Sequence, residues 1–353
     1  MSTDLRTRFE TFRAENPKTR IRGAATEMGV SEAELVATGI DGEATMLAAP
    51  EGGWREILHR IEPLGEVMAL TRNDACVHEK KGTYENVDTD LPHSMCQVIG
   101  EPIDLRLFCG RWRVGFAVET PWDGSKDGIR RSLQFFDAHG DAVHKIYLTR
   151  KSNVEAYNAF VRAHTATDLD WSAEPRPEPK PETPDEEIDS ETFLADWGAL
   201  QDTHDFFYLL HKHGVSRSQS LRLAEGRFTE RIEPISLRRT LEGAAETETP
   251  IMIFVGNPGA FQIHTGTVRK LVEHGPWFNV LDPGFNLHLD EKQIAEAWVV
   301  VKPTEDGDVT AVEAYDASGD TIVQIFGKRK PGLTELTEWR EIVSSLPRQG
   351  VAA

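Results

Sequence analysis

Apolar residues recur along this chain with two different periods. Over 191–213 they fall at Phe193, Trp197, Leu200, Phe207 and Leu210, a spacing that predicts one amphipathic helix. His204 bridges the longest gap on that stripe, and His211 lies near its end. Elsewhere the period is two. In Ile103-Asp104-Leu105-Arg106-Leu107 the polar residues alternate with apolar ones, which predicts a strand with Arg106 on the face opposite Leu105 and Leu107.

The pattern also repeats on a larger scale. Gly29-Val30-Ser31-Glu32-Ala33-Glu34 is matched by Gly214-Val215-Ser216-Arg217-Ser218-Gln219, 185 residues on. Both read as a helix end at glycine followed by a helix capped by serine, with Glu34 or Gln219 closing a capping box. Strand, Asn-centred turn and strand over 71–82 return at 255–266, an offset of 184. The 103–107 strand has its counterpart at 285–289. Phe136-Asp137-Ala138-His139-Gly140-Asp141 returns as Tyr315-Asp316-Ala317-Ser318-Gly319-Asp320 at offset 179, a hairpin turn followed in each copy by a strand. Four landmarks in one order are more than recurrent turns supply by chance. Closing helices are expected at 154–164 and 336–346. Between the copies, residues 172–190 carry proline at every second or third position with charges between, the composition of an extended, solvated spacer. The expected organisation is therefore repeat 1–171, linker 172–190, repeat 191–353. The fold class is α+β, a tandem structural repeat in which each half is a large antiparallel sheet with helices packed against it.

Composition narrows the function. Acidic residues outnumber Lys plus Arg by 58 to 39, for a net charge of −19. Such an excess argues against nucleic acid as a partner, though it permits a local basic pocket for a small anion. No apolar run reaches the length of a membrane span, and the first residues lack a signal-peptide pattern, so a cytoplasmic protein without membrane insertion is expected. Cys76, Cys96 and Cys109 show no CxxC spacing and read as buried or free thiols. Dinucleotide and phosphate loops, zinc-protease and serine-hydrolase motifs are absent from the sequence. His211-Lys212-His213 is discounted as a metal site because histidines two apart on a helix face different ways.

His204 stands in Asp202-Thr203-His204-Asp205-Phe206-Phe207, a polar and aromatic setting that suits a ligand at a cleft edge; the alternative is a core histidine. The corresponding first-half residue is Thr19. The run from Trp197 to Leu210 resembles the axial-histidine helix of the HemS/ChuS/PhuS/HmuS family of bacterial haem-utilisation proteins. Similar resemblances are carried by Ile103–Phe108, Ile251–Asn257, Ala295–Trp298 with Lys302-Pro303-Thr304, and Arg72-Asn73 with Val77-His78-Glu79. The resemblance covers both halves. It implies haem held against the second half, with His204 as the iron ligand and Arg106, from the first half, on the opposite iron face; both are candidate catalytic residues. Arg217, Lys302, Lys328 and Arg329 become candidate propionate partners, each otherwise an ordinary solvated charge. Phe108, Phe254 and Phe326 become candidate pocket walls, each otherwise plain core. Phe326 stands where the family leads one to expect tyrosine. His78 is a candidate for a weaker second haem site, although an exposed strand histidine is the reading favoured. Two activities follow equally from one pocket: reductant-dependent haem degradation with an unidentified electron donor, or a chaperone passing haem from an inner-membrane importer to a separate haem oxygenase. A protein-contact scaffold is the third reading.

Overall fold

The computed structural model describes residues 3–40, 42–178, 181–329 and 332–349. Pro179 and Lys180 of the expected linker lie outside the described residues. The strands form two nine-stranded sheets, and the strand pairs described below are antiparallel. The chain divides into two compact units. The first comprises 1–72, 79–177 and 257–262; the second comprises 73–78, 178–256 and 263–353. Each unit thus includes a short strand segment drawn from the other end of the sequence.

In the first unit, neighbouring strands run Ala44–Leu47, Val114–Pro121, Ile129–Phe136, Ala142–Leu148, Val67–Arg72. In the second, the order is Thr229–Ile232, Glu296–Lys302, Val309–Tyr315, Thr321–Gly327, Ile251–Asn257. The order of chain segments is the same in both. So is the irregularity: the register slips at Phe135/Phe136 and again at Ala314/Tyr315. Each unit adds a three-stranded meander, ending on Asp104–Phe108 in one and Phe285–Asp290 in the other.

Local chemistry explains the repetition. Both capping boxes form, Ser31 with Glu34 and Ser216 with Gln219, after glycines in the left-handed region (Gly29 φ 68°, Gly214 φ 65°). In both hairpins an aspartate fixes the turn: Asp137 accepts from the amides of His139 and Asp141, and Asp316 from those of Ser318 and Asp320. Gly140 and Gly319 complete these turns at φ 77° and 82°, where an L side chain would be strained. The two Asn-centred turns also match. In the second unit the Asn73 amide donates to the carbonyls of Gly256 and Ile322; in the first, Asn257 donates to those of Arg72 and Val143.

The closing helices are Val154–His164 and Thr337–Ser344. Residues 172–178 and 181–189 are mostly exposed, as proline and charge require, yet they are not free of the units. His139 bonds the Glu174 carbonyl in the first unit. In the second, Gln219 donates to the Thr183 carbonyl and the Asp185 carboxylate, and Arg222 pairs with Glu182. All three cysteines are buried free thiols.

One expectation about the helices fails. The helix over 191–213 is two helices, Ser190–Gly198 and Asp205–His213. Asp202 ends the continuity: its carboxylate accepts from the His204 amide at 2.8 Å and its carbonyl from the Asp205 amide at 3.1 Å, a local capping turn that competes with the helix ladder. The break resets the phase of the apolar stripe. Phe193, Trp197 and Leu200 are buried as expected, but the second helix buries Phe206 and Leu209 and leaves Phe207 71% exposed.

Candidate functional site

In the second unit the sheet is covered on both faces. Odd positions of Val309–Tyr315 and even positions of Glu296–Lys302 share one side: Trp298, Val300, Ala311 and Tyr315 pack with Phe193, Trp197, Phe206 and Leu209 of the two helices. Val299, Val312 and Ala314 pack on the other side with Leu237, Leu241 and Trp339. Strand alternation therefore sets Lys302 and Glu313 under the helices that flank His204.

There they form a buried ion cluster. Arg217, at the start of helix Arg217–Leu223, donates from Nη2 to both carboxylate oxygens of Glu313, at 2.7 and 2.8 Å, and from Nε to the Tyr315 hydroxyl at 3.0 Å. The Tyr315 hydroxyl also donates to Glu313. Lys302 lies 3.7 Å from Glu313. Burial alone would raise the Glu313 pKa, but Arg217 and then Lys302 outweigh it and hold the group at about 2. Burial, reinforced by Arg217, pulls Lys302 down to about 8. Both cations also lie over one aromatic ring: the Arg217 guanidinium is 5.1 Å and the Lys302 ammonium 4.6 Å from the Phe206 centroid. Phe206 itself meets Trp197 edge-on at 4.5 Å. Phe326 joins the group, 6.0 Å from the Lys302 ammonium and 5.1 Å from Phe254 in a T-shaped contact.

His204 occupies the turn immediately before Phe206. Its side chain is 90% exposed, and Nδ1 lies 2.6 Å from the Asp202 carboxylate. Asp202 is held below the usual carboxylate range, chiefly by the bond from the His204 amide, so it stays ionised and accepts. A carboxylate acceptor at Nδ1 puts the proton there and leaves the lone pair at Nε2. This is the arrangement by which a second group fixes the tautomer and orientation of a metal-binding imidazole. Beside it Phe207 and Tyr208 are 71% and 68% exposed, their rings 5.9 Å apart.

The other expected residues are dispersed. Lys328 is exposed and Arg329 half-buried, 3.5 Å from Asp306, both just beyond Phe326. Arg106 belongs to the first unit, on strand Asp104–Phe108. It alternates with buried Leu105 and Leu107, is one-third exposed, and pairs with Asp104 at 2.5 Å. Phe108, in the same strand, is half-buried and meets Phe261 edge-on at 6.3 Å. His78 is not the exposed strand histidine expected: it is fully buried, its ring 4.9 Å from Phe285, because it lies on the covered face of strand Cys76–Gly82 together with Cys76 and Lys80. Sequence reasoning missed Glu313 and Tyr315. Their signal was the alternation over 309–315, which the hairpin landmark overshadowed.

The two landmarks that frame this cluster, the Gly-Val-Ser cap and the aspartate hairpin, fall in both halves within stretches that match a known domain. The haemin-degrading HemS/ChuX domain matches residues 29–164 and again 214–346. The chain belongs to the HemS/ChuX family. It is 37% identical to the haemin transport protein HemS of Yersinia enterocolitica, over the whole of both chains. The fold is that of holo-PhuS, a haem-binding protein from Pseudomonas aeruginosa, with TM-score 0.92, 44% identity, and 98% of this chain and 99% of that one covered. The haem-degrading enzyme ChuS of Escherichia coli O157:H7 superposes with TM-score 0.87 at 34% identity, covering 98% and 99%. Among the described residues no helix is long and apolar enough to cross a membrane.

Proposed function

We propose that this protein binds haem through His204 and degrades it, releasing iron, with electrons from a separate donor. The observation that carries the reading is the His204–Asp202 pair. A largely exposed imidazole whose Nδ1 is held by an ionised carboxylate offers Nε2 to a metal, and neutral imidazole is a normal haem-iron ligand. Phe207 and Tyr208 beside it present the apolar surface a porphyrin plane needs. Haem supplies the redox centre when bound. Asp202 orients His204. Phe254 and Phe326 serve as apolar wall. Arg217 and Lys302, committed to Glu313 and Phe206, hold the helix that follows His204, and their net positive charge favours propionates nearby; Lys328 and Arg329 lie close in sequence to Phe326 and serve as outer propionate partners. Arg106, which the family resemblance offers as a catalytic residue, is assigned as a polar group that assists degradation. Phe326 supplies no hydroxyl where tyrosine was expected, so propionate binding rests on the cations. The buried free thiols fit a reducing, cytoplasmic setting.

The test is turnover. Haem-loaded protein given an electron donor, with catalase present to remove free peroxide, loses its Soret band and yields an opened tetrapyrrole with free iron. An intact Soret band, together with haem transfer to a separate haem oxygenase, would replace degradation by the chaperone reading, in which the inner-membrane importer and that oxygenase are the partners.

A further inference from the structure

The first unit holds a cavity of about 530 Å³ that the haem reading of the second does not use. It lies between the N-terminal helix Thr3–Glu15, the segment 16–21, helix Glu32–Ala37 and the strands Val114–Pro121, Ile129–Phe136 and Ala142–Leu148. Its volume is within the range that encloses small ligands.

Three features of the lining define an occupant. The first is charge. In a chain of net charge −19, the cavity is lined by Arg6, Arg13, Arg130 and Lys145 against Glu10 and Glu43. Arg6 is held by the Thr38 and Ile40 carbonyls, Arg13 faces Glu43 at 3.5 Å, Arg130 lies 4.9 Å over Trp122, and Lys145 pairs with buried Glu32. The second is a buried acceptor. Gln134 is 6% exposed, its amide nitrogen donates to Ser132 at 3.0 Å, and its Oε1 has no partner. A buried unpaired oxygen costs stability until a donor reaches it. The third is that the wall between these groups is apolar, with Phe9, Leu35 and Val118. An occupant thus needs negative charge, N–H or O–H donors and an apolar body. It does not need a metal: Thr19, in the lining, stands at the position that corresponds to His204.

We infer that this cavity binds an iron-free tetrapyrrole carboxylate, whose propionates face the arginines and whose pyrrole N–H groups reach Gln134. The choice of ligand rests on the haem reading above, since it takes a molecule the protein meets only if haem is its business.

The experiment is equilibrium dialysis of the haem-loaded full chain against protoporphyrin IX and, separately, biliverdin, with bound pigment counted after extraction. Haem loading is followed by its own Soret titration. One equivalent of at least one pigment binds beyond the haem, and the probe that binds identifies a closed or an opened ring. Gln134→Leu and Arg130→Glu each weaken that binding about tenfold while leaving the haem titration unchanged. The second variant is at the rim and keeps the test valid if the first disturbs folding. No pigment bound by haem-loaded protein, or equal binding in wild type and both variants, overturns the inference. A failed haem titration with pigment binding still sensitive to the two variants would sink the haem reading alone.

Discussion

Glu313 is fully buried between two cations, so its charge is what makes buried Lys302 and partly buried Arg217 tolerable there. Glu313→Gln keeps the shape and removes that charge. Two routes give the magnitude. The carboxyl is held at about 2, against an ordinary 4.5, and at about 1.4 kcal/mol for each tenfold shift that is worth about 3 kcal/mol at neutral pH. Removing one member of a buried ion pair typically costs about 3–5 kcal/mol. The variant should therefore lose roughly 3–5 kcal/mol, a fall of roughly 10 °C in the melting temperature of a unit of this size. Urea denaturation followed by tryptophan fluorescence reads it directly, because Trp197 and Trp298 pack in the core that covers the cluster. Lys302→Met added to Glu313→Gln removes one of the stranded cations and should recover more than about 1 kcal/mol of the loss, a coupling expected of groups in contact. The sign with pH follows. The Glu313 contribution is present above 4.5 and disappears as pH falls through about 2. A loss below about 1 kcal/mol, or a double variant weaker than Glu313→Gln, would refute the cluster as the organiser of this face.

Lys302 gives the same sign at higher pH, here because its charged form is the one that burial penalises. Its folded value near 8 is below the ordinary 10.5, so the wild type should gain stability as pH rises from 8 to 10.5, and Lys302→Met should lose that gain in pH-dependent denaturation. Gly319→Ala should cost about 1–3 kcal/mol in the same assay, since φ is 82° and the new Cβ would stand 2.7 Å from Ser218 Oγ; an unchanged midpoint would contradict the turn geometry. Arg106→Ala should keep the spectrum of histidine-ligated haem and slow haem loss about tenfold or more, with partial recovery in Arg106→Lys, whose ammonium lacks the planar fork. Identical rates in all three would make Arg106 an ordinary strand residue.

Much of the fold was legible because its signals are local. The paired capping boxes, the aspartate hairpins and the alternation about Arg106 each depend on a few neighbouring residues, and each repeats. The break at Asp202 was not legible from hydrophobic period, because the stripe 193–210 reads continuously while one aspartate side chain decides otherwise. That error hid the consequence that matters, an exposed His204 on a turn instead of a histidine on a buried stripe. Glu313 and Tyr315 were hidden for a different reason. Their partners Arg217 and Lys302 are distant in sequence, and only the folded sheet brings the four together. His78 looked exposed because alternation marks which residues share a face but not whether that face is covered.

The central claim is that His204 supplies the iron ligand, with Asp202 holding its ring. Haemin titration of wild type, His204→Ala and His78→Ala, read by ferric and ferrous–CO absorbance, tests it most directly. The account predicts a shifted spectrum and weakened binding in His204→Ala, and a principal spectrum nearly intact in His78→Ala. A wild-type spectrum in His204→Ala, or loss of the bound-haem spectrum in His78→Ala alone, would contradict it.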